Sequence, residues 1–445
     1  MKRLIASVFL AGFLTACGGV RDDPAAAVSQ EGQSQSQGLS ETAPIGSIAE
    51  DFVKLALGVG QYDPDYVDAY YGPEAWADAV ASDAKSLEQL IQDAESLLER
   101  LAAVNAATPS ARGAKLKKVL VAARTRLQMA AGETFSFDDE ARLLYDARAP
   151  QYDIQTFDKA LADIDALLPG EGSLEERMNA FRAQFAIPAE NLSAVFDAAI
   201  AECRKRTLAH YDLPENERFT LEFVADKPWS GYNWYRGDYE SLIQINTDFP
   251  ISIDRAIDLG CHEGYPGHHT QGVINERDLL GKNEWIEYSV FPLFSPAAFI
   301  AEGTANYGIE LAFPGDEKLA FERDVLFPLA GIDPALAEQL DRLNEAWRPL
   351  SHLSNHVGRL YLDESIDREA ALGMLMKYGM RSRERAEQSV AFIEKYRAYV
   401  INYNLGLEIV DEFMKRRTAA GEDPWSAFQT LLSEPLSPSD LQADE

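Results

Sequence analysis

Apolar residues return every three or four positions through most of this chain, which is the spacing of amphipathic helices. The segment SLEQLIQDAESLLERLAAV, starting at Ser86, shows the pattern well. A second helix is expected in SLEERMNAFRAQF, where Ser173 and Glu176 form a capping box. We therefore predict a mainly α fold, with helices dominating residues 51–208 and 336–428.

The pattern changes to alternation between residues 218 and 248. Phe219, Leu221 and Phe223 alternate with polar residues, and a second short apolar run follows at 242–245. These runs predict a small antiparallel β element near 218–248. The segment between them is rich in aromatic residues, which suits either packing over the core or one wall of a substrate cleft: Trp229, Tyr232, Trp234 and Tyr235.

The N-terminus has the pattern of an export signal. Lys2 and Arg3 precede an apolar run that is too short to span a bilayer. The run ends in LTAC, which resembles the lipobox of bacterial lipoproteins, so we predict a signal peptide over 1–16 and lipidation of Cys17. An ordinary secretory signal is the alternative. In both cases the protein is exported, and a lipid anchor on Cys17 would place it in the bacterial periplasm or at the outer membrane.

Composition divides the remainder of the chain. Residues 17–48 are rich in Ser, Gln, Ala and Gly, which predicts a flexible tether. We expect an N-terminal helical lobe over 49–210 and a metal-site lobe over 211–445.

Besides Cys17 only Cys203 and Cys261 occur, so no disulfide framework is predicted, although one bridge is chemically permitted. We interpret Cys261 as a small buried residue beside His262.

The charge balance restricts the partners. The chain has 41 Lys and Arg against 72 Asp and Glu, a formal net charge of −31. Such a charge argues against binding to nucleic acid or to an anionic lipid surface. The membrane is therefore expected to be reached through the lipid anchor alone.

Three of the six histidines lie in DLGCHEGYPGHHTQG, which runs from Asp258 to Gly272. The stretch nearly matches the zinc-protease signature H-E-x-x-H, but Pro266 stands where the second histidine belongs. On a straight helix His262 could share an ion with neither His268 nor His269, because their side chains would point apart or lie too far along the axis. Gly264, Pro266 and Gly267 are strong helix breakers, so we predict that this segment loops out.

The loop would return a histidine to the side of His262. The spacing alone does not decide whether this histidine is His268 or His269. A zinc site for hydrolysis also needs a third ligand and a base. Glu263 is the expected base. Glu302 lies on a largely apolar helix beside Gly303, where an unpaired carboxylate is costly and a metal would compensate. Asn306, one turn later, is expected to orient a ligand.

The string H-E-x-x-P-G-H from His262 to His268, followed some forty residues later by Glu302-Gly303, resembles the bacterial family called domain of unknown function 885. That family is similar to helical zinc peptidases whose third ligand is a glutamate. The resemblance implies a large helical fold with a central cleft, one zinc per chain, His262, His268 and Glu302 as ligands, and Glu263 as general base. Two departures are visible: Thr304 replaces the usual Trp, and YRAYVINYNLG replaces the P-G-Q-A segment.

The late segment EKYRAYVINYNLG mixes phenols with a cation. The family's late tyrosine aligns with Tyr403, which the resemblance implies as the oxyanion donor. Arg397 could bind a peptide carboxylate with two hydrogen bonds. Core packing with hydroxyl groups at the edge explains the same tyrosines equally well. His210, His352 and His356 lack an adjacent Glu, and we interpret them as structural or surface residues.

Together these features predict a zinc-dependent hydrolase of the cell envelope, with a peptide-like substrate. Two alternatives stay open. One is a non-catalytic binding or scaffold lipoprotein with a structural or degenerate metal site. The other is a metal-dependent hydrolase of a non-peptide amide or ester.

Overall fold

The computed structural model describes residues 43–227 and 229–442. The expected signal peptide and Cys17 lie outside these residues. Helix α1 already begins at Ala43, inside the segment expected to be a tether as far as residue 48. It forms there because Ile45 and Ile48 are buried in the core.

The helices account for most of the described residues and confirm the mainly α class. They are α1 (Ala43–Val59), α2 (Glu74–Ser82), α3 (Leu87–Ala107), α4 (Ala111–Ala130), α5 (Phe137–Tyr145), α6 (Ile154–Leu167), α7 (Leu174–Arg182), α8 (Leu192–Leu208), α9 (Arg255–Leu259), α10 (His268–Ile274), α11 (Pro296–Ala312), α12 (Glu317–Phe321), α13 (Phe327–Ala330), α14 (Ala337–Trp347), α15 (Leu353–Leu362), α16 (Arg368–Gly379), α17 (Arg383–Tyr396), α18 (Ile401–Ala419), α19 (Pro424–Ser433) and α20 (Pro438–Leu441). Three segments have π-helical geometry: Gly260–Gly264, Asn275–Lys282 and Glu322–Leu326.

Local sequence explains where several helices start. The capping box of Ser173 and Glu176 is present at α7, and Ser86 makes a second one with Gln89 at α3. Helix α11 begins at Pro296, as expected from its fixed φ angle. Ser295 precedes α11 but does not cap it with its side chain; its hydroxyl donates to the carbonyl oxygen of Pro292.

Two small sheets accompany the helices. Their strands are β1 (Val67–Tyr70), β2 (Arg218–Val224), β3 (Gly231–Tyr235), β4 (Glu240–Asn246) and β5 (Val290–Pro292). Strand β1 pairs antiparallel with β5. The other sheet has the order β2-β4-β3, with β3 and β4 antiparallel and β2 and β4 parallel. The β element over 218–248 is thus confirmed. The two apolar runs, β2 and β4, lie parallel because the aromatic segment between them forms β3, so the chain reverses direction twice between them.

Helices α11 and α18 approach each other closely at two glycines. A Cβ atom on Gly303 would lie 2.5 Å from the carbonyl oxygen of Gly406, so a side chain there would push the helices apart. This contact sets α11 beside the start of α18 and brings Glu302 next to Tyr399. Among the described residues, no helix combines the length and apolarity that a membrane crossing requires.

Candidate metal centre

The chain leaves helical geometry between His262 and His268. Helix α9 continues into the π-helical segment Gly260–Gly264, residues 265–267 turn, and His268 starts α10. The two imidazole rings therefore meet with centroids 4.7 Å apart and planes nearly perpendicular, at 87°. The looping out expected from Pro266 and its flanking glycines is what brings the rings together.

Gly267 is the residue that allows the turn to close. Its N–H donates to the carbonyl oxygen of Cys261 over 3.0 Å. A Cβ atom at this position would lie only 1.8 Å from the carbonyl oxygen of His262. Any larger residue would therefore move His262 and His268 apart.

Glu302 completes a cluster with the two histidines. Its Oε2 lies 3.3 Å from Nε2 of His262 and 3.8 Å from Nε2 of His268. The other oxygen, Oε1, accepts a 2.7 Å hydrogen bond from the Tyr399 hydroxyl. Oε2 is buried and has no hydrogen-bond partner among the described residues. A bare carboxylate oxygen facing two imidazole nitrogens is costly unless a cation binds it.

Glu263 lies on the same side of the histidine pair. One of its oxygens and one nitrogen from each of His262 and His268 lie within 4.8 Å of one another. The side chain is 5% exposed, and burial raises the pKa of its carboxyl group. Gly231 of β3 makes room for it, because a Cβ atom there would lie 2.9 Å from Oε1 of Glu263.

Asn306 fixes the tautomer of His262. Its Nδ2 donates to the carbonyl oxygen of Tyr403 over 3.1 Å, which leaves Oδ1 to accept from Nδ1 of His262 at 3.0 Å. The proton of a neutral His262 then resides on Nδ1, and Nε2 presents its lone pair toward Glu302 and His268. This is the arrangement that a metal-binding imidazole needs, and it matches the role expected for Asn306.

The electrostatics show how strongly the cluster needs positive charge. Burial favours protonation of Glu302, but its close contacts with His262 and His268 and the charges of those rings outweigh it and hold the pKa of Glu302 well below its ordinary value. Burial would lower the pKa of His268, yet contact with Glu302 and the charge of Glu263 raise it to about 9. Two imidazole nitrogens and a carboxylate oxygen are donors that zinc accepts. The residues therefore fit a divalent metal, with Glu302 or Glu263 as the third protein ligand.

His269 does not belong to this cluster. Its Nδ1 lies 2.8 Å from the Ser241 hydroxyl and its Nε2 lies 3.0 Å from Oε2 of Glu217. Glu217 also accepts from the Tyr265 hydroxyl and pairs with Arg204. Both ring nitrogens of His269 are satisfied inside the protein, and its side chain has no exposed surface. Of the two histidines that the spacing left open, His268 is the one that lies beside His262.

The two residues expected on the substrate side have different surroundings. Tyr403 borders the cluster with its ring 5.8 Å from that of Tyr399. Burial, together with the charges of Glu302 and Glu263, holds the pKa of Tyr403 well above its ordinary value, so the phenol keeps its proton. Arg397 lines neither cavity beside the cluster, and its Nε donates over 2.7 Å to the fully buried Glu140. The structure thus brings Tyr403 to the cluster but not Arg397.

Two cavities meet at the histidine pair. The inner cavity, of about 150 Å³, lies between the cluster and β1, β3 and β5. The outer groove, of about 1000 Å³, runs along α11, α14 and α17 and carries charges of both signs. The two share six residues on their walls: Trp229, Gly231, His262, Glu263, Phe392 and Tyr403. The two cavities therefore adjoin each other at His262 and Glu263.

Some cavity residues had no chemical interpretation in the sequence. Asp68 and Tyr71, from YDPDYVDAYYGPEAW, line the inner cavity almost 200 residues before His262. Tyr399, which holds Glu302, was indistinguishable in sequence from its neighbouring tyrosines. No local spacing connects these residues to the histidines, since only the packing of β1 and of the turn that precedes α18 places them there. Of the four aromatic residues of the segment between the two apolar runs, Trp229, Tyr232 and Tyr235 also line the inner cavity, whereas Trp234 is exposed.

A disulfide ties the metal-binding segment to the N-terminal helices. Cys203 of α8 and Cys261 are bonded, with Cα atoms 5.6 Å apart. The sequence permitted this bridge without predicting it, because connectivity depends on tertiary proximity. Cys261 is buried, as expected, and the bridge anchors the residue that directly precedes His262.

The other three histidines have packing partners away from the cluster. His210 stacks on Trp425 with ring centroids 4.3 Å apart. His352 stacks on Tyr152 and lies 2.8 Å from Glu408, and His356 packs edge-on against Phe157. These surroundings agree with their interpretation as structural residues.

No protein-family model and no curated protein sequence matches the chain. Among solved structures, a candidate lipoprotein from Colwellia psychrerythraea is 17% identical with a TM-score of 0.49, over 82% of this chain and 68% of that one. A candidate lipoprotein of unknown function from Shewanella oneidensis is 15% identical with a TM-score of 0.45, over 82% and 74%. An M32 carboxypeptidase from Deinococcus radiodurans R1 is 13% identical with a TM-score of 0.36, over 90% and 93%. All three TM-scores lie below 0.5, so the chemistry of the chain has to be inferred from its own residues.

Proposed function

We propose that this protein is a zinc-dependent hydrolase that cleaves peptides, with one zinc held by His262, His268 and Glu302. The observation that carries the proposal is the bare, buried Oε2 of Glu302, which faces Nε2 of both histidines. Glu302 is preferred to Glu263 as the third ligand because Tyr399 holds it in place. Glu263 then remains free for chemistry.

Each residue of the cluster has a role in hydrolysis of an amide. Bound zinc would act as a Lewis acid on the scissile carbonyl group and make a neighbouring water molecule easier to deprotonate. Glu263, buried beside the histidines, accepts the proton from water and returns it to the leaving amine. Tyr403 donates a hydrogen bond to the oxyanion. Asn306 and Tyr399 hold His262 and Glu302 in the binding orientation.

Two measurements on the same purified samples test this proposal. Elemental analysis should give close to one zinc per chain, and a mixed peptide library should be cleaved. Chelation should remove both the zinc and the cleavage, and added zinc should restore them. Zinc without cleavage of any peptide, but with hydrolysis of simple esters or acylated amines, would favour the non-peptide hydrolase. Zinc without any turnover would favour the scaffold lipoprotein.

We also propose that the protein works in the cell envelope, anchored through Cys17. The basis is the sequence alone: a short apolar run after Lys2 and Arg3, ending in LTAC. Labelling with a radioactive fatty acid should mark the wild-type protein and leave Cys17→Ser unlabelled. Labelling of the serine variant, or none of the wild type, would contradict the anchor.

A further inference from the structure

The inner cavity has a charge pattern that the proposed reaction does not explain. Among the described residues that line it there are three carboxylates, Asp68, Glu263 and Glu302, and neither Lys nor Arg. A divalent ion at the cluster would balance two negative charges and leave one unbalanced. The outer groove differs, since Arg255, Lys318, Arg348 and Arg381 all line it.

Asp68 of β1 is the carboxylate with no part in metal binding or proton transfer. It accepts a hydrogen bond from the Tyr232 hydroxyl, and no other side-chain hydrogen bond or ion pair to it occurs within the described residues. Burial raises the pKa of Asp68 to about 6, with the Tyr232 hydrogen bond and the charge of His268 acting in the opposite direction. Its carboxylate is therefore poorly compensated by the protein itself.

Half of the other residues that line the inner cavity, apart from its carboxylates and histidines, are aromatic. Tyr71, Trp229, Tyr235 and Tyr396 line this cavity together with Asp68. Aromatic faces attract an ammonium group through their quadrupoles, and a carboxylate supplies its counter-charge. A purely apolar occupant would instead remove water from Asp68 without replacing it, which costs free energy.

We propose that the inner cavity binds an ammonium group of the substrate, held by Asp68 and the surrounding aromatic rings. The peptide then enters with its amino-terminal end in the inner cavity, and the rest of the chain lies in the outer groove. This inference rests on the proposed function for the identity of the substrate, but the amine preference of the cavity can be measured separately. The ammonium group can be the α-amino group or a lysine side chain, and the experiment separates the two.

The first experiment compares three fluorogenic peptides of otherwise equal sequence with the wild-type protein. One has a free amino terminus and Leu first, the second is its N-acetyl form, and the third is N-acetylated with Lys first. Acetylation should lower kcat/KM by at least about 30-fold, which corresponds to ~2 kcal/mol, the lower range for removing one member of a buried charge pair. Recovery with the Lys peptide would assign the site to a side-chain amine, and no recovery would assign it to the α-amino group. Equal cleavage of all three peptides would overturn the inference and leave the hydrolase proposal intact.

The second experiment measures binding without turnover. Calorimetry would compare leucine amide with N-acetyl-leucine amide on wild-type protein, before and after chelation. The free amine should bind at least about tenfold more tightly in both states, because Asp68 is not a metal ligand. A protein that cleaves no peptide but keeps this preference would contradict the proposed function and support the ammonium site. Equal affinity for both amides, or no binding of either, would overturn the inference.

Asp68→Asn is the matching variant, and Asp65→Asn is its control. Asp65 undergoes the same chemical change three residues earlier, where it pairs with Lys395 at the surface. Asp68→Asn should bring the ratio of the affinities for the free and the acetylated amide close to one, whereas Asp65→Asn should keep the wild-type ratio. Retention of full discrimination in a folded Asp68→Asn protein would overturn the inference. The wild-type comparisons decide the question if Asp68→Asn does not fold.

Discussion

His268 and His269 are neighbours in sequence, yet their environments are opposite. His269 has both ring nitrogens in hydrogen-bonding distance of protein side chains and is fully buried. His268 shows its Nε2 to an oxygen of Glu302 that has no hydrogen-bond partner among the described residues. The turn before α10 points one side chain into the cavity and the other into the sheet, because adjacent residues on a helix differ by about 100° in direction.

This difference shows that a metal-binding histidine is recognised by the polar groups around it that lack a partner in the protein. The His269 network needs no added ion, since Glu217 is paired with Arg204 and accepts from Tyr265. The His268 cluster contains carboxylates without a fixed positive partner. The following experiments would break or sharpen this contrast, beginning with the largest expected effect.

The largest effect is expected for metal content. His268→Ala and Glu302→Ala should lose the zinc held by wild type, because the remaining ligands form a poor site. His269→Ala should keep close to one zinc per chain, since its ring faces Ser241 and Glu217. Elemental analysis after dialysis measures all three variants. Loss of zinc from His269→Ala, with full occupancy in His268→Ala, would reverse the assignment.

The second largest effect is expected for turnover, which should fall in the Glu263→Gln variant. The amide keeps the size of the side chain but removes the base, so kcat should drop by roughly 10² to 10⁴. Zinc content and Tm should stay close to wild type because Glu263 is not required as a ligand. Glu338→Gln, an exposed change on α14, serves as the control and should retain activity. A Glu263→Gln protein that holds zinc and keeps its rate would show that Glu263 is not the base.

The free energy of unfolding should change most when the hydrogen-bond network of His269 is disrupted. Glu217→Ala leaves buried donors of His269 and Tyr265 without an acceptor, so the free energy of unfolding should fall by about 3 kcal/mol. Zinc content should not change. Urea denaturation measures the loss, and Glu222→Ala, exposed on the same strand region, should stay within about 0.5 kcal/mol of wild type. An equally small effect of Glu217→Ala would show that the network contributes little.

The same residue gives a pH dependence. Burial alone would raise the pKa of Glu217. The hydrogen bonds from His269, Tyr265 and Arg204 have a larger effect in the opposite direction, so the pKa in the folded protein is below its ordinary value. Its stabilisation is therefore complete above the unfolded pKa of about 4.3 and is lost as the pH falls through the folded value. The stability difference between wild type and Glu217→Ala should shrink in acid. A constant difference down to pH 2 would contradict this.

The smallest effect is expected for Asn306→Ala. His262 would lose the acceptor that keeps its proton on Nδ1, and zinc affinity should weaken by about 10- to 100-fold while binding persists. Competition with a chelator of known affinity measures the change. Asn344→Ala, whose side chain pairs with Asp254 away from the histidines, is the matched control. Unchanged affinity in Asn306→Ala would remove Asn306 from the site.

Local sequence determined the features that depend on near neighbours. The 3.6-residue period predicted most helices, and Ser173 with Glu176 predicted the start of α7. Pro266 between two glycines predicted a break after Glu263, because these residues cannot continue a helix. The stripe of Glu302 and Asn306 on one face of α11 followed from their spacing of four.

Tertiary structure decided everything that depends on contacts between distant segments. It placed His268 rather than His269 beside His262, joined Cys203 to Cys261, and gave Arg397 the buried partner Glu140. It also brought Asp68 from β1 into the inner cavity. The physical reason is that side-chain direction after an irregular turn, and proximity across hundreds of residues, are set by packing of the whole chain. Hydrophobic periodicity specifies which face of an element is buried, but it does not specify which polar groups meet there.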